Sequence, residues 1–242
     1  MRRLLYVPII HGEADLGRAG EALTSHSAAL AGRRSWQRHG ETVDRFWQSV
    51  VTYLGRLDPT TLKIYQDGHP ADGALGLRIV EEAAERGSRN YQVVLELLRR
   101  GAELRKTEDP ELLLAERDNL LRAVGNAQDG GPRPGSEQYL RVIGELMVKR
   151  DAFIARTILA TLREGELGVL FIGANHKVAP LLEGALAVER LKDPALVRDY
   201  LEELLTSGDT RRLEKLRRQL VAPIVVPGAG QSQQGGADGP DR

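Results

Sequence analysis

The chain has no cysteine among its 242 residues. That removes thiolate nucleophiles, disulfide bridges and cysteine-ligated zinc, so any metal must rest on His, Asp or Glu. Surplus charge is lacking too: Lys+Arg and Asp+Glu each number 34. With no net charge and no dense basic stripe, nothing suggests a nucleic-acid partner. No apolar run approaches the roughly 18–20 residues that a membrane span needs. The Gly-x-Gly-x-x-Gly and P-loop patterns are missing, as is Gly-x-Ser-x-Gly, so neither a nucleotide phosphate loop nor a nucleophile elbow is indicated. The N-terminal Met1-Arg-Arg-Leu-Leu-Tyr-Val-Pro-Ile-Ile10 is too short for a signal peptide and runs into His11 without a small-residue cleavage site. A first core strand is expected there, in a cytoplasmic protein with no membrane partner.

What is present reads as one α/β domain over 1–226, with a tail over 227–242 whose Gly, Gln, Ser, Asp and Pro content predicts disorder. The expected sheet is mostly parallel (mixed), flanked by helices, with a helical C-terminal extension. Strands are expected at Leu4–Ile10, Leu62–Gln66, Ala102–Thr107 and Gly168–His176. Residues 12–40 read as a long loop on the active-site side. Helices are expected from about Val43 to Leu57, Leu75–Arg86, Asn90–Arg100, Asp109–Val124 and Glu137–Arg163. Three more follow, over about Pro180–Leu191, Pro194–Thr206 and Thr210–Leu220, the last two (194–220) forming a candidate homodimer surface. His26 and His39 fall in the polar loop as solvated residues, and His69, before Pro70, reads as a turn residue.

Two strands finish on a histidine: Val7-Pro8-Ile9-Ile10-His11 and Ile172-Gly173-Ala174-Asn175-His176. Open α/β sheets bind ligands at the carboxyl ends of their strands. If these strands are neighbours, about 4.8 Å apart, both imidazoles can reach one ion or substrate. The alternative is that each histidine merely ends a strand. On the long helix Arg150 interrupts the apolar stripe of Ile143, Met147, Ile154 and Ile158. A charge there either pairs with a structural carboxylate or reaches into a site. Arg117, among Leu113, Leu120 and Val124, poses the same question less clearly. Glu13 and Asp15 follow His11, and Asp67 and Glu108 follow the second and third strands, so each is a candidate ligand or base. Gly173 permits close approach, while Asn175 and Tyr65 could donate hydrogen bonds into the site. A set of histidines and carboxylates suits zinc, manganese or iron, with His11 and His176 as metal ligands, and a bound metal could activate water.

Leu146-Met-Val-Lys-Arg-Asp-Ala-Phe-Ile-Ala155 followed by Gly168-Val-Leu-Phe-Ile-Gly-Ala-Asn-His-Lys-Val178 resembles the TraB / Tiki / ChaN-like superfamily, which includes erythromycin-esterase-like proteins. Its members carry two Gly-x-x-His motifs and an Arg-Asp or Arg-Asn step on a long helix. Here Gly173 and His176 match one motif, Arg150-Asp151 the step, and His11 the other motif, in which Pro8 stands at the glycine position. The resemblance implies a shared α/β fold and a paired-histidine site. Because its members include metal-dependent peptidases, pheromone-inactivating proteins, a haem-binding lipoprotein and ester hydrolases, it does not fix a substrate. The expectation is a hydrolase, working with a metal or by acid/base chemistry alone, acting on a small molecule or peptide. In it His11 and His176 are ligands or acid/base groups, Glu13, Asp15 or Glu108 the carboxylate, and Arg150 orients an anion or oxyanion. The alternative is a protein that holds a metal, haem or small ligand in the same cleft without turnover.

Overall fold

The computed structural model describes residues 2–12, 32–125, 135–206 and 210–225. Five strands form the centre: β1 (Arg3–Ile9), β2 (Leu62–Gln66), β3 (Glu103–Arg105), β4 (Leu167–Gly173) and β5 (Ala187–Arg190). All pairings are parallel, in the order β3-β2-β4-β1-β5. The surrounding helices are α1 (Arg33–Leu54), α2 (Gly73–Glu85), α3 (Arg89–Arg99), α4 (Pro110–Gly125), α5 (Glu137–Thr161), α6 (Ala179–Leu182), α7 (Pro194–Thr206) and α8 (Thr210–Val221). The domain is thus α/β with a helical C-terminal region.

β1 from Leu4 onward and β4 throughout are apolar because both faces of the sheet are covered. Successive side chains alternate between the faces. Leu5, Val7 and Ile9 join a core with Phe46 and Trp47 of α1, Val94 of α3, Tyr200 of α7 and Leu213 of α8. Leu4 and Tyr6 point the other way, against Ile154, Ala155 and Ile158 of α5 and Leu182 of α6. Ile9 is level with Gly173, and Gln66 with Phe171, so β1, β2 and β4 all end at one edge. Pro8 is tolerated in a central strand for a local reason. Tyr6 O accepts from Leu191 N, so even-numbered β1 residues direct their backbone toward β5, and that ladder ends at Tyr6–Arg190. Pro8, which has no N–H to donate, falls beyond that pairing.

Two parts of the sequence reading are corrected. Residues 33–40 are helix, not loop, and His39 is buried: its Nδ1 lies 3.0 Å from the Tyr200 hydroxyl and its Nε2 3.2 Å from His11 O. The α1 stripe continues through His39 and Thr42 before Val43 and Phe46, and its polar members hid the periodicity. The segment over 180–191 is one helical turn and then a strand, because Gly184 takes φ +88° and Ala187–Arg190 pairs with the open edge of β1. In the 194–220 helices Tyr200, Leu213, Leu216 and Leu220 are core residues. Among the described residues no helix is long and apolar enough to cross a membrane. Glu13, Asp15, His26 and the 227–242 tail lie outside the described residues.

Candidate active site at the carboxyl edge of the sheet

At the end of β2 the chain turns through Gly68, whose φ of +72° favours glycine, and Asp67 is presented at the edge. Asp67 Oδ2 accepts from Gly173 N at 2.9 Å. A Cβ on Gly173 would lie 3.1 Å from that oxygen, so a glycine at the end of β4 makes the approach possible. Beyond β3, the N–H groups of Thr107 and Glu108 both donate to His69 O, which fixes Glu108 beside the Asp67 turn. His69 itself is fully buried, and burial lowers its pKa.

α5 delivers Arg150 and Asp151 together from the core-facing side of the helix, 6% and 5% exposed. Arg150 Nη2 donates to Asp67 Oδ1 (2.7 Å) and Glu108 Oε1 (2.6 Å), Nε reaches both Glu108 oxygens, and Nη1 donates to Glu116 Oε2 (2.7 Å). The planar fork matches carboxylates of fixed geometry, which lysine could not replace. His176 N donates to Gly173 O, closing the turn that brings the ring back to the helix. Its Nδ1 lies 2.5 Å from Asp151 Oδ1, and Asp151 Oδ2 accepts from Lys177 N at 2.8 Å. Its Nε2 lies 3.4 Å from Asp67 Oδ2. The result is a chain of groups, Asp151–His176–Asp67–Arg150–Glu108, running beneath the sheet edge.

These neighbours set the protonation states. Burial opposes a charged imidazole, but the bonds to Asp151 and Asp67 outweigh it and push the His176 pKa up to about 9. Burial likewise opposes charge on Asp67, yet the bond to His176 and the charges of His176 and Arg150 hold it well below the usual carboxylate range. Glu108 is raised, since burial and the neighbouring Asp67 outweigh its bonds to Arg150. Tyr6, whose hydroxyl donates to His176 O, is pushed up to about 12 by burial and then by Asp151.

Asp67, Glu108 and His176 each offer one ligand atom within 4.8 Å of the others, so this group could hold a metal ion. An ion there would have to displace Arg150 from the two carboxylates and the proton from His176. A cleft of about 290 Å³ opens beside the cluster, lined by Ile9, His11, Gln66, Asp67, Asn90 and Tyr91 among others. Asp67 therefore faces both the cleft and the imidazole.

The structure brings together His176, Arg150, Asp67, Glu108 and Gly173 of the residues singled out from sequence. His11 stands on the neighbouring strand at the same edge and lines the cleft, but the metal-capable trio contains the two carboxylates in its place. Tyr65 is buried under α5, its hydroxyl 2.8 Å from Thr161 Oγ1, away from the cleft. Arg117 turns outward and pairs with Asp118 on the exposed side of α4, whereas its neighbour Glu116 reaches Arg150. Asn175 is exposed on the turn before His176. Asp151 entered only as part of the Arg-Asp step of the resemblance, with no role in the site, and Glu116 was not singled out. Asp151 carried a signal, because it lies four residues after Met147 and three before Ile154 on the same stripe as Arg150. Comparisons with protein-family models, curated proteins and solved structures found no match.

Proposed function

We propose that the chain is a hydrolase of the TraB / Tiki / ChaN-like type that moves protons at this edge through Asp67 and His176. One observation carries the reading: Asp67 links a substrate-sized cleft to a buried imidazole whose other nitrogen is fixed by Asp151. Asp151 holds Nδ1–H in place, so Nε2 is the nitrogen that trades a proton with Asp67. In hydrolysis a water would lose a proton to Asp67 as it attacks, and the leaving group would receive one from the Asp67–His176 pair, leaving the proton count unchanged. Arg150 acts as a brace, because its fork is committed to Asp67, Glu108 and Glu116. Among the described residues, two buried acceptors in the cleft, Gln66 Oε1 and Asn90 Oδ1, have no hydrogen-bond partner. They favour a substrate that brings N–H or O–H donors.

A metal-loaded form is the second reading, favoured by four carboxylates (Asp67, Glu108, Glu116 and Asp151) facing two cationic side chains. A divalent zinc, manganese or iron ion on Asp67, Glu108 and His176 would supply an activated water. Purified protein should turn over at least one member of a panel of esters, lactones and short peptides. Asp67→Asn and His176→Gln should each lose about 100-fold or more in kcat while the circular dichroism spectrum is unchanged. Full activity in either variant would end the proposal. Elemental analysis of the same sample separates the two readings.

A further inference from the structure

The N-terminal half of α5, residues 137–149, contains no buried residue although it continues the helix that supports the site. α4 is its neighbour in the fold, yet Leu140 and Val148 remain 57% and 68% exposed. Gly144 lies midway between them, also exposed, with nothing within 4 Å of where a Cβ would stand. Leu140, Gly144 and Val148 recur every four residues and so share one face. Beside them runs a second four-residue series, Glu137, Arg141, Glu145 and Lys149, all exposed, alternating in sign and without an ion-pair partner among the described residues.

That alternation is self-complementary. When two copies of this helix lie antiparallel about a two-fold axis near Ile143 and Gly144, Arg141 falls opposite Glu145 of the partner subunit. Symmetry repeats this contact, so two attractive contacts flank the crossing point. In a parallel pairing in register each charge would meet its own kind. Gly144 at the crossing point lets the backbones approach, while Leu140 and Val148 cover each other. A two-helix arm that leaves leucines exposed, including Leu114 and Leu121 of α4 at 48% and 60%, has its usual remedy in a second arm, which makes a four-helix bundle.

We propose that the α4–α5 arm is a homodimer interface, in which two copies of the chain pack the outer faces of α5 antiparallel across Gly144. Interfacial charges set the partner and the orientation, as they do in coiled coils. The test is sedimentation velocity on the full chain at concentrations up to about 100 μM. The wild type should sediment as a dimer. Arg141→Glu should weaken association about tenfold or more, because symmetry turns two attractive contacts into two repulsive ones. Combining Arg141→Glu with Glu145→Arg restores opposite signs at every contact and should restore the dimer. A monomeric wild type, a dimer indifferent to Arg141→Glu, or a double variant no better than the single one would each overturn the proposal. The substituted side chains are exposed, so an unchanged circular dichroism spectrum separates a lost interface from a lost fold.

Discussion

An imidazole as buried as that of His176 would ordinarily shed its proton at neutral pH, since burial disfavours the cation. Asp151 and Asp67 reverse this and carry the folded-state pKa to about 9 from an ordinary 6.5. The sign of the linkage follows. A base whose pKa rises on folding adds stability that is complete below about pH 6.5 and disappears as pH climbs through 9. The contribution is on the order of 3 kcal/mol. Lys192 works in the opposite sense, because burial lowers its pKa to about 8, so its penalty shrinks as pH rises from 8 toward its ordinary value. The difference between wild type and His176→Gln therefore isolates the histidine. Urea unfolding at about pH 6 and pH 9.5 should show the wild type losing its advantage over the variant by about 3 kcal/mol. Equal slopes for both proteins would show that the imidazole does not hold its proton in the fold. In the sequence Asp67 and Glu108 are candidate ligands or bases only because they follow strands. Their role is set by Arg150, 83 and 42 residues away, and no local pattern records that distance.

At the scale of elements, the site depends on three strand ends and one helix meeting at close range. Gly173 is the close approach between Asp67 and His176: an added Cβ would lie 3.1 Å from Asp67 Oδ2 and 3.4 Å from the His176 ring. Gly173→Ala should push Asp67 off the β4 amide, cost about 1–2 kcal/mol of stability, and lower the His176 pKa as its partner withdraws. A histidine NMR titration that matches the wild type would show that the strand end yields without disturbing the pair. Elements with strong periodic signals were legible. β1 and β4 are unbroken apolar runs, and α5 carries a stripe that reads correctly where it reaches the body, at Ile154 and Ile158. At Ile143 and Met147 the same stripe stays half-buried. β5 was not legible, because Ala187–Arg190 has no strand signal of its own and is a strand only because β1 offers an edge.

For the whole molecule, α7 and α8 are structural. Tyr200 and Leu220 are fully buried, and Leu204, Leu213 and Leu216 nearly so, against the same core as Phe46 and Trp47 of α1. Ending the chain after Leu191 would expose that face, and the shortened protein should lose its cooperative thermal transition and near-ultraviolet dichroism. A sharp melt in the truncated chain would mean that the C-terminal helices are an appendage. The sequence by itself determined the α/β class, the strand that ends at His176 and the anomaly at Arg150, because burial on both faces and a charge within an apolar stripe are local patterns. Tertiary structure alone decided which strands are neighbours, that Asp67, Glu108 and Asp151 rather than His11 surround the imidazole, and that His39 is a core residue. Those outcomes follow from the energy of pairing distant charges and filling distant faces, which depends on where the chain returns rather than on what precedes or follows each residue.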